Sequence, residues 1–114
     1  MGAIVYHANY LKFIERARSD WVRALGIDQN ALREGGLVFA VRRLDARFLS
    51  PARLDDVLAV ATRPVATGGA RIVLHQEVAC EGRTLFRAEV ELAALDTASG
   101  APRRLPAELR RALG

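Results

Sequence analysis

Residues 9–26 read NYLKFIERARSDWVRALG, and the spacing of apolar side chains in this stretch decides the fold. Leu11, Ile14, Trp21, Val22 and Leu25, with Ala17 and Ala24 beside them, recur at the three- and four-residue intervals of a helix. Lys12, Glu15, Arg16, Arg18, Asp20 and Arg23 are interleaved with them, and Gly26 supplies a stop. The spacing predicts a helix over 9–25, roughly 24 Å long, with an apolar stripe broad enough to lie across a sheet. "GIDQNALREGG" then reads as a loop with a short helical turn, closed by Gly35 and Gly36.

Downstream the period switches to two. Over 37–49, Val38, Ala40, Leu44, Ala46 and Phe48 alternate with Arg43, Asp45 and Arg47, the pattern of a half-buried strand. "SPARLDD" interrupts it, since Pro51 has no N–H for a ladder. A second strand is expected over about 56–66, and "TGG" at 67–69 offers a hairpin turn into a third from Arg71 to Cys80. "EGR" turns the chain into 84–95, where Phe86, Ala88, Val90, Leu92 and Ala94 face one way and Arg87, Glu89 and Glu91 the other. The short turns imply antiparallel pairing. "DTASGAPRRLP" leaves the sheet, and "AELRRALG" forms a last helical turn or two with Leu109 and Leu113 docked. One long helix with at least four antiparallel strands gives an α+β domain whose sheet curls around the helix, because no other element can cover the apolar face.

Composition narrows the class. The 114 residues, 51% hydrophobic, suit one domain with a real core over 1–114. No apolar run is long enough to cross a bilayer and the start lacks the pattern of a secretory signal, so a cytoplasmic protein is expected. Cys80 is the single cysteine, which excludes a disulfide framework and Cys-rich zinc sites. Of the 17 basic residues all but Lys12 are arginine, and the net charge is +4. Surplus arginine suits phosphate recognition or a solvated surface. Nucleic-acid binding ranks last, because aromatics make up only 6% of the chain and no known motif is present.

"IVYHANYLKFIERARSDWVRALGI" (4–27), "LSPARLDDVLAV" (49–60) and "PRRLP" (102–106) together resemble the hotdog-fold acyl-CoA thioesterases of the YbgC and 4-hydroxybenzoyl-CoA thioesterase group, whose YbgC branch is associated with the Tol-Pal system. The resemblance implies hydrolysis of a small or medium acyl-CoA, no metal or bound cofactor, coenzyme A entering as part of the substrate, and pairing into homodimers or homotetramers. It also implies a catalytic role for His7, which matches the histidine just before the central helix. Tyr6, Asn9 and Tyr10 fall beside it as substrate-binding candidates. Asn9 suits the helix N-cap better than substrate contact, and Tyr6 equally suits packing. A helix N-terminus offers free N–H groups and partial positive charge to a developing oxyanion, and an imidazole can activate water near neutral pH.

The family's catalytic aspartate sits in a D-x-x-G turn that, at the family's spacing, falls immediately before Met1. An N-terminally shortened hotdog domain, its first strand missing, is therefore expected. Either an upstream start supplies that segment, which the intact "GAIVYHANY" favours, or the short form is a non-catalytic module that binds an acyl thioester or a protein. Glu15 does not replace the aspartate readily, since eight residues of helix set it roughly 12 Å from His7; a salt bridge suits it better. Arg42, Arg43, Arg47, Arg53 and Arg71 are candidates for the phosphates of coenzyme A. His75, on the strand face opposite Ile72 and Leu74, is given no catalytic role.

Overall fold

The computed structural model describes residues 4, 5, 7–53 and 56–113, with side chains described in the helical and strand segments from Tyr10 onward. A two-residue strand β1 (Ile4–Val5) leads into the long helix α1 (His7–Ala24), followed by a short helix α2 (Gln29–Glu34). Then come β2 (Leu37–Phe48), β3 (Ala52–Arg53), β4 (Ala59–Gly68), β5 (Arg71–Cys80), β6 (Arg83–Asp96) and a short helix α3 (Ala107–Ala112). Four strands form one antiparallel sheet in the order β2-β6-β5-β4, and β1 pairs antiparallel with β3 apart from it. The α+β expectation is met: α1 lies on one face of the sheet, against β4 and β5.

At 18 residues α1 is about 27 Å long. Its contact with the sheet is built on Tyr10, Ile14 and Val22, which are buried, with Phe13, Trp21 and Leu25 packed at the margin. Tyr10, Ile14, Arg18 and Val22 are spaced by four, so they form one continuous ridge. Leu11, expected inside, is 37% exposed because it stands off this ridge. The helix also starts two residues earlier than expected, so Asn9 lies in the first turn and not at the N-cap. Gly26, at φ +85°, ends the helix in a conformation open to glycine.

The face of β2 differs from the one its alternation predicts. Val38 and Ala40 do not share a face with Leu44, Ala46 and Phe48. Pairing with β6 runs Phe39↔Ala94 and Val41↔Leu92, then shifts and resumes at Arg43↔Glu91 and Leu44↔Val90. Arg42 is the extra residue of this bulge, and it reverses the inside-outside alternation. Phe39, Val41, Leu44, Ala46 and Phe48 therefore lie on the helix side, in register with buried Ala94, Leu92, Val90, Ala88 and Phe86. The alternation in β6 and β5 is as expected, with Ile72, Leu74, Gln76, Val78 and Cys80 all buried.

The C-terminal segment is bound to the sheet's end. Arg103 N–H donates to Ala94 O at 2.8 Å and Leu105 N–H to Gly69 O at 3.0 Å. Leu105 and Leu109 are buried, while Arg110 and Arg111 are exposed.

Candidate active site at the start of the central helix

The leading turn of α1 begins at His7 and carries no acidic side chain that would offset the partial positive charge of a helix N-terminus. Two features locate this end of the helix. The β1–β3 ladder pairs Ile4 with Arg53 and Val5 with Ala52, which brings the approach to the helix against the loop after β2. Tyr10 then fastens the first turn to that loop: its hydroxyl donates to Ser50 O at 2.9 Å. The Tyr10 ring lies 5.3 Å from Phe86 and 6.4 Å from Phe48, and Phe48 is 5.0 Å from Phe86. Burial pushes the Tyr10 phenol up, and the nearby Asp56 charge adds to it.

Of the residues the sequence singled out, Tyr6 lies outside the described residues, as do the side chains of His7 and Asn9. The backbone of His7 and Asn9 is in the first turn of α1. Tyr10 is wholly buried and turned into the core, where it holds the helix start.

Asp56, which sequence reading passed over, lies at this end of the molecule. Its Oδ2 accepts from Arg53 N–H at 2.8 Å, and its own N–H donates to Arg53 O at 3.0 Å, which ties Asp56 to the end of β3. Burial, then the Asp56 charge, raises the Cys80 thiol above its usual range. The only signal in the sequence was an acidic pair directly after a proline-containing loop.

The arginines separate by face. Arg42 reaches Glu91 at 3.5 Å and Arg71 reaches it at 2.9 Å, on the side of the sheet away from α1. Arg43 and Arg47 share that outer face by register, whereas Arg53 sits in β3 beside the helix start. His75 is also on the outer face, its Nε2 2.9 Å from Glu77 Oε1. Glu15 is exposed, and its charge acts on Arg18 one turn along.

Two of the clefts beside the helix lie between it and the sheet. The larger of these, about 520 Å³, runs between α1 and β4 over Phe13, Ala17, Trp21, Leu58 and Val60, with Arg16 and Asp20 also lining it. The smaller, about 160 Å³, lies toward β2 between Glu15 and Arg18 on one wall and Phe39, Val41 and Leu92 on the other. No group of His, Cys, Asp or Glu side chains suited to a metal ion occurs among the described residues.

A sheet wrapped around one helix, with the helix's amide end held at the sheet margin, defines the hotdog class of proteins. The thioesterase superfamily profile matches residues 2–87, and the chain belongs to that family. It is 37% identical over 106 residues to a protein of Escherichia coli named acyl-CoA thioester hydrolase YbgC, covering 92% of this chain and 79% of that one. It is 37% identical over 112 residues to the acyl-CoA thioesterase YbgC of Haemophilus influenzae, covering 97% and 82%. Among solved structures, a probable thioesterase from Bartonella henselae superposes with a TM-score of 0.84 at 39% identity, over 91% of this chain and 86% of that one.

Proposed function

We propose that this protein hydrolyses a small or medium acyl-CoA thioester to the free acid and coenzyme A. The observation that carries the reading is the extent of similarity to the E. coli hydrolase, 37% identity across 92% of the chain, with "YHANY" falling at the start of the helix the sheet encloses. In this reading the thioester carbonyl rests against the first-turn N–H groups of α1, which gain strength as the oxygen becomes anionic. The His7 imidazole takes a proton from the attacking water. The tetrahedral intermediate then collapses with loss of the coenzyme A thiolate. Tyr6 and Asn9 border the acyl thioester in this arrangement, and Tyr10 supports it from beneath. The reaction as proposed needs no metal or bound cofactor.

The proposal includes a homodimer or homotetramer. Among the described residues strand β2 is bonded on one edge only, and on its helix-side face Val41, Leu44 and Phe48 are 50%, 43% and 42% exposed. A second copy is the occupant this strip suits. No helix among the described residues is long and apolar enough to cross a membrane. A cytoplasmic location is part of the proposal and rests on the resemblance to the YbgC branch. Association with the Tol-Pal system rests on the resemblance to the YbgC branch alone.

The test is release of free thiol from a series of acyl-CoA substrates of graded chain length. Turnover that is lost in His7→Ala is the expected result. Failure of the wild-type protein to release coenzyme A from any of them would sink the reading, and binding without turnover would identify an acyl-thioester-binding module instead.

A further inference from the structure

Apart from the Tyr10 phenol, Gln76 is the one buried polar side chain among the described residues, and it stands in the middle of an otherwise apolar row, Ile72, Leu74, Val78 and Cys80. Across from it, the α1 ridge of Tyr10, Ile14, Arg18 and Val22 contains a single charged member, Arg18. The two meet. Arg18 Nη1 donates to Gln76 Oε1 at 3.0 Å, Gln76 Nε2 donates to Ile14 O at 2.9 Å, and the same nitrogen donates to Thr62 Oγ1 at 2.9 Å. Both amide protons and the amide oxygen are thus engaged. A flipped amide would set its oxygen against the Ile14 carbonyl and its nitrogen against a guanidinium, so only one orientation fits.

An apolar side chain of similar size would fill this place, and a satisfied buried amide adds little net stability over it. What the amide adds is direction. Apolar contact between a helix and a sheet is nearly indifferent to small sliding movements, whereas hydrogen bonds weaken steeply when misaligned. One of these bonds ends on a backbone carbonyl of the helix itself, so it fixes the helix and not merely a side chain. Ile14 lies seven residues from His7, about 10 Å along a rigid rod, and a displacement at Ile14 is transmitted to the leading amides.

We infer that Gln76, held by Arg18 and Thr62, is a positioning residue for thioester hydrolysis: it sets the axial register and rotation of α1 on the sheet, and so the place of the helix's leading amides relative to the reacting carbonyl. The inference rests on the proposed function. Oxyanion donors act over a window of a few tenths of an ångström, and a misplacement of about 1 Å costs on the order of 100-fold in rate.

The experiment compares Gln76→Met with wild type and with Val90→Ala, a core change in β6 that leaves the clamp intact. Steady-state kinetics with one acyl-CoA, the melting temperature and hydrogen exchange across α1 are measured for each. For Gln76→Met a fall in kcat of about 10-fold or more is expected, with KM changed less than about threefold and faster exchange in α1. Val90→Ala should melt lower yet keep its kcat. An unchanged kcat in Gln76→Met, or an equal loss of kcat in Val90→Ala, would overturn the inference. If Gln76→Met does not fold, Thr62→Val removes one bond of the clamp, and a kcat identical to wild type there would overturn it. If wild type itself releases no coenzyme A, the functional reading fails separately. Exchange then decides the clamp: unaltered α1 exchange in Gln76→Met rejects it, and faster exchange retains it.

Discussion

The Tyr10 hydroxyl donates to the Ser50 carbonyl at 2.9 Å, joining positions 40 residues apart in sequence. The bond ties the first turn of the central helix to the loop that follows β2. It makes Tyr10 part of the framework under the proposed reaction, with its ring against Phe86 and Phe48.

Tyr10→Phe keeps the ring and removes the bond, so a loss of about 1 kcal/mol in unfolding free energy is expected, with KM for acyl-CoA unchanged. The alkaline limb should also change. The folded phenol titrates above its usual value of 10.0, so its contribution is complete below that value and is lost as pH rises through the folded value. Thermal melts from neutral to alkaline pH should show a shallower decline for Tyr10→Phe; a parallel decline would contradict this.

Ile14→Ala opens a cavity where the helix ridge meets the sheet, at a side chain only 1% exposed. A loss of about 2–5 kcal/mol is expected, which urea denaturation will report as a lower midpoint with an unchanged slope. A loss below about 1 kcal/mol would mean the site relaxes around the deletion.

Leu44→Glu places a charge on the half-exposed apolar strip of β2 without touching the helix contact. Sedimentation equilibrium should show wild type as a dimer or larger and the variant shifted to monomer. A monomeric wild type, or a variant that associates equally, would remove this strip as the interface.

Asp96 accepts from Ser99 N–H at 2.9 Å, Ser99 Oγ at 3.0 Å and Ala98 N–H at 3.2 Å, and these bonds hold its carboxyl below the ordinary value of 3.8. The stabilisation is therefore present above that value and lost as pH falls through the lowered folded value. Asp96→Asn should melt lower than wild type at neutral pH, and the gap should close in acid. A gap independent of pH would point to lost packing instead.

Much of the fold was legible because it is written in local periodicity. The shift from a spacing of three and four to a spacing of two located α1 and the strands, and Gly26 and the turn after Gly68 marked real boundaries. The face of β2 was misread for a reason of the same kind: one extra residue, Arg42, reverses every side chain beyond it, and a bulge exists only relative to a partner strand. For the candidate site, the "YHANY" stretch was visible as a motif at a helix start, whereas Asp56 was not, since its nearness to Tyr10 and Cys80 comes from three separate segments meeting.

The order of residues by itself determined that a long amphipathic helix would need a sheet, and which strand faces would be apolar in β5 and β6, because burial follows side-chain spacing within a segment. Tertiary structure alone decided which polar groups meet. Arg18 and Gln76 are 58 residues apart, and each in isolation is an ordinary polar side chain. Only when the ridge of α1 crosses β5 do they satisfy one another, because a hydrogen bond is fixed by distance and angle in space and leaves no periodic trace along the chain.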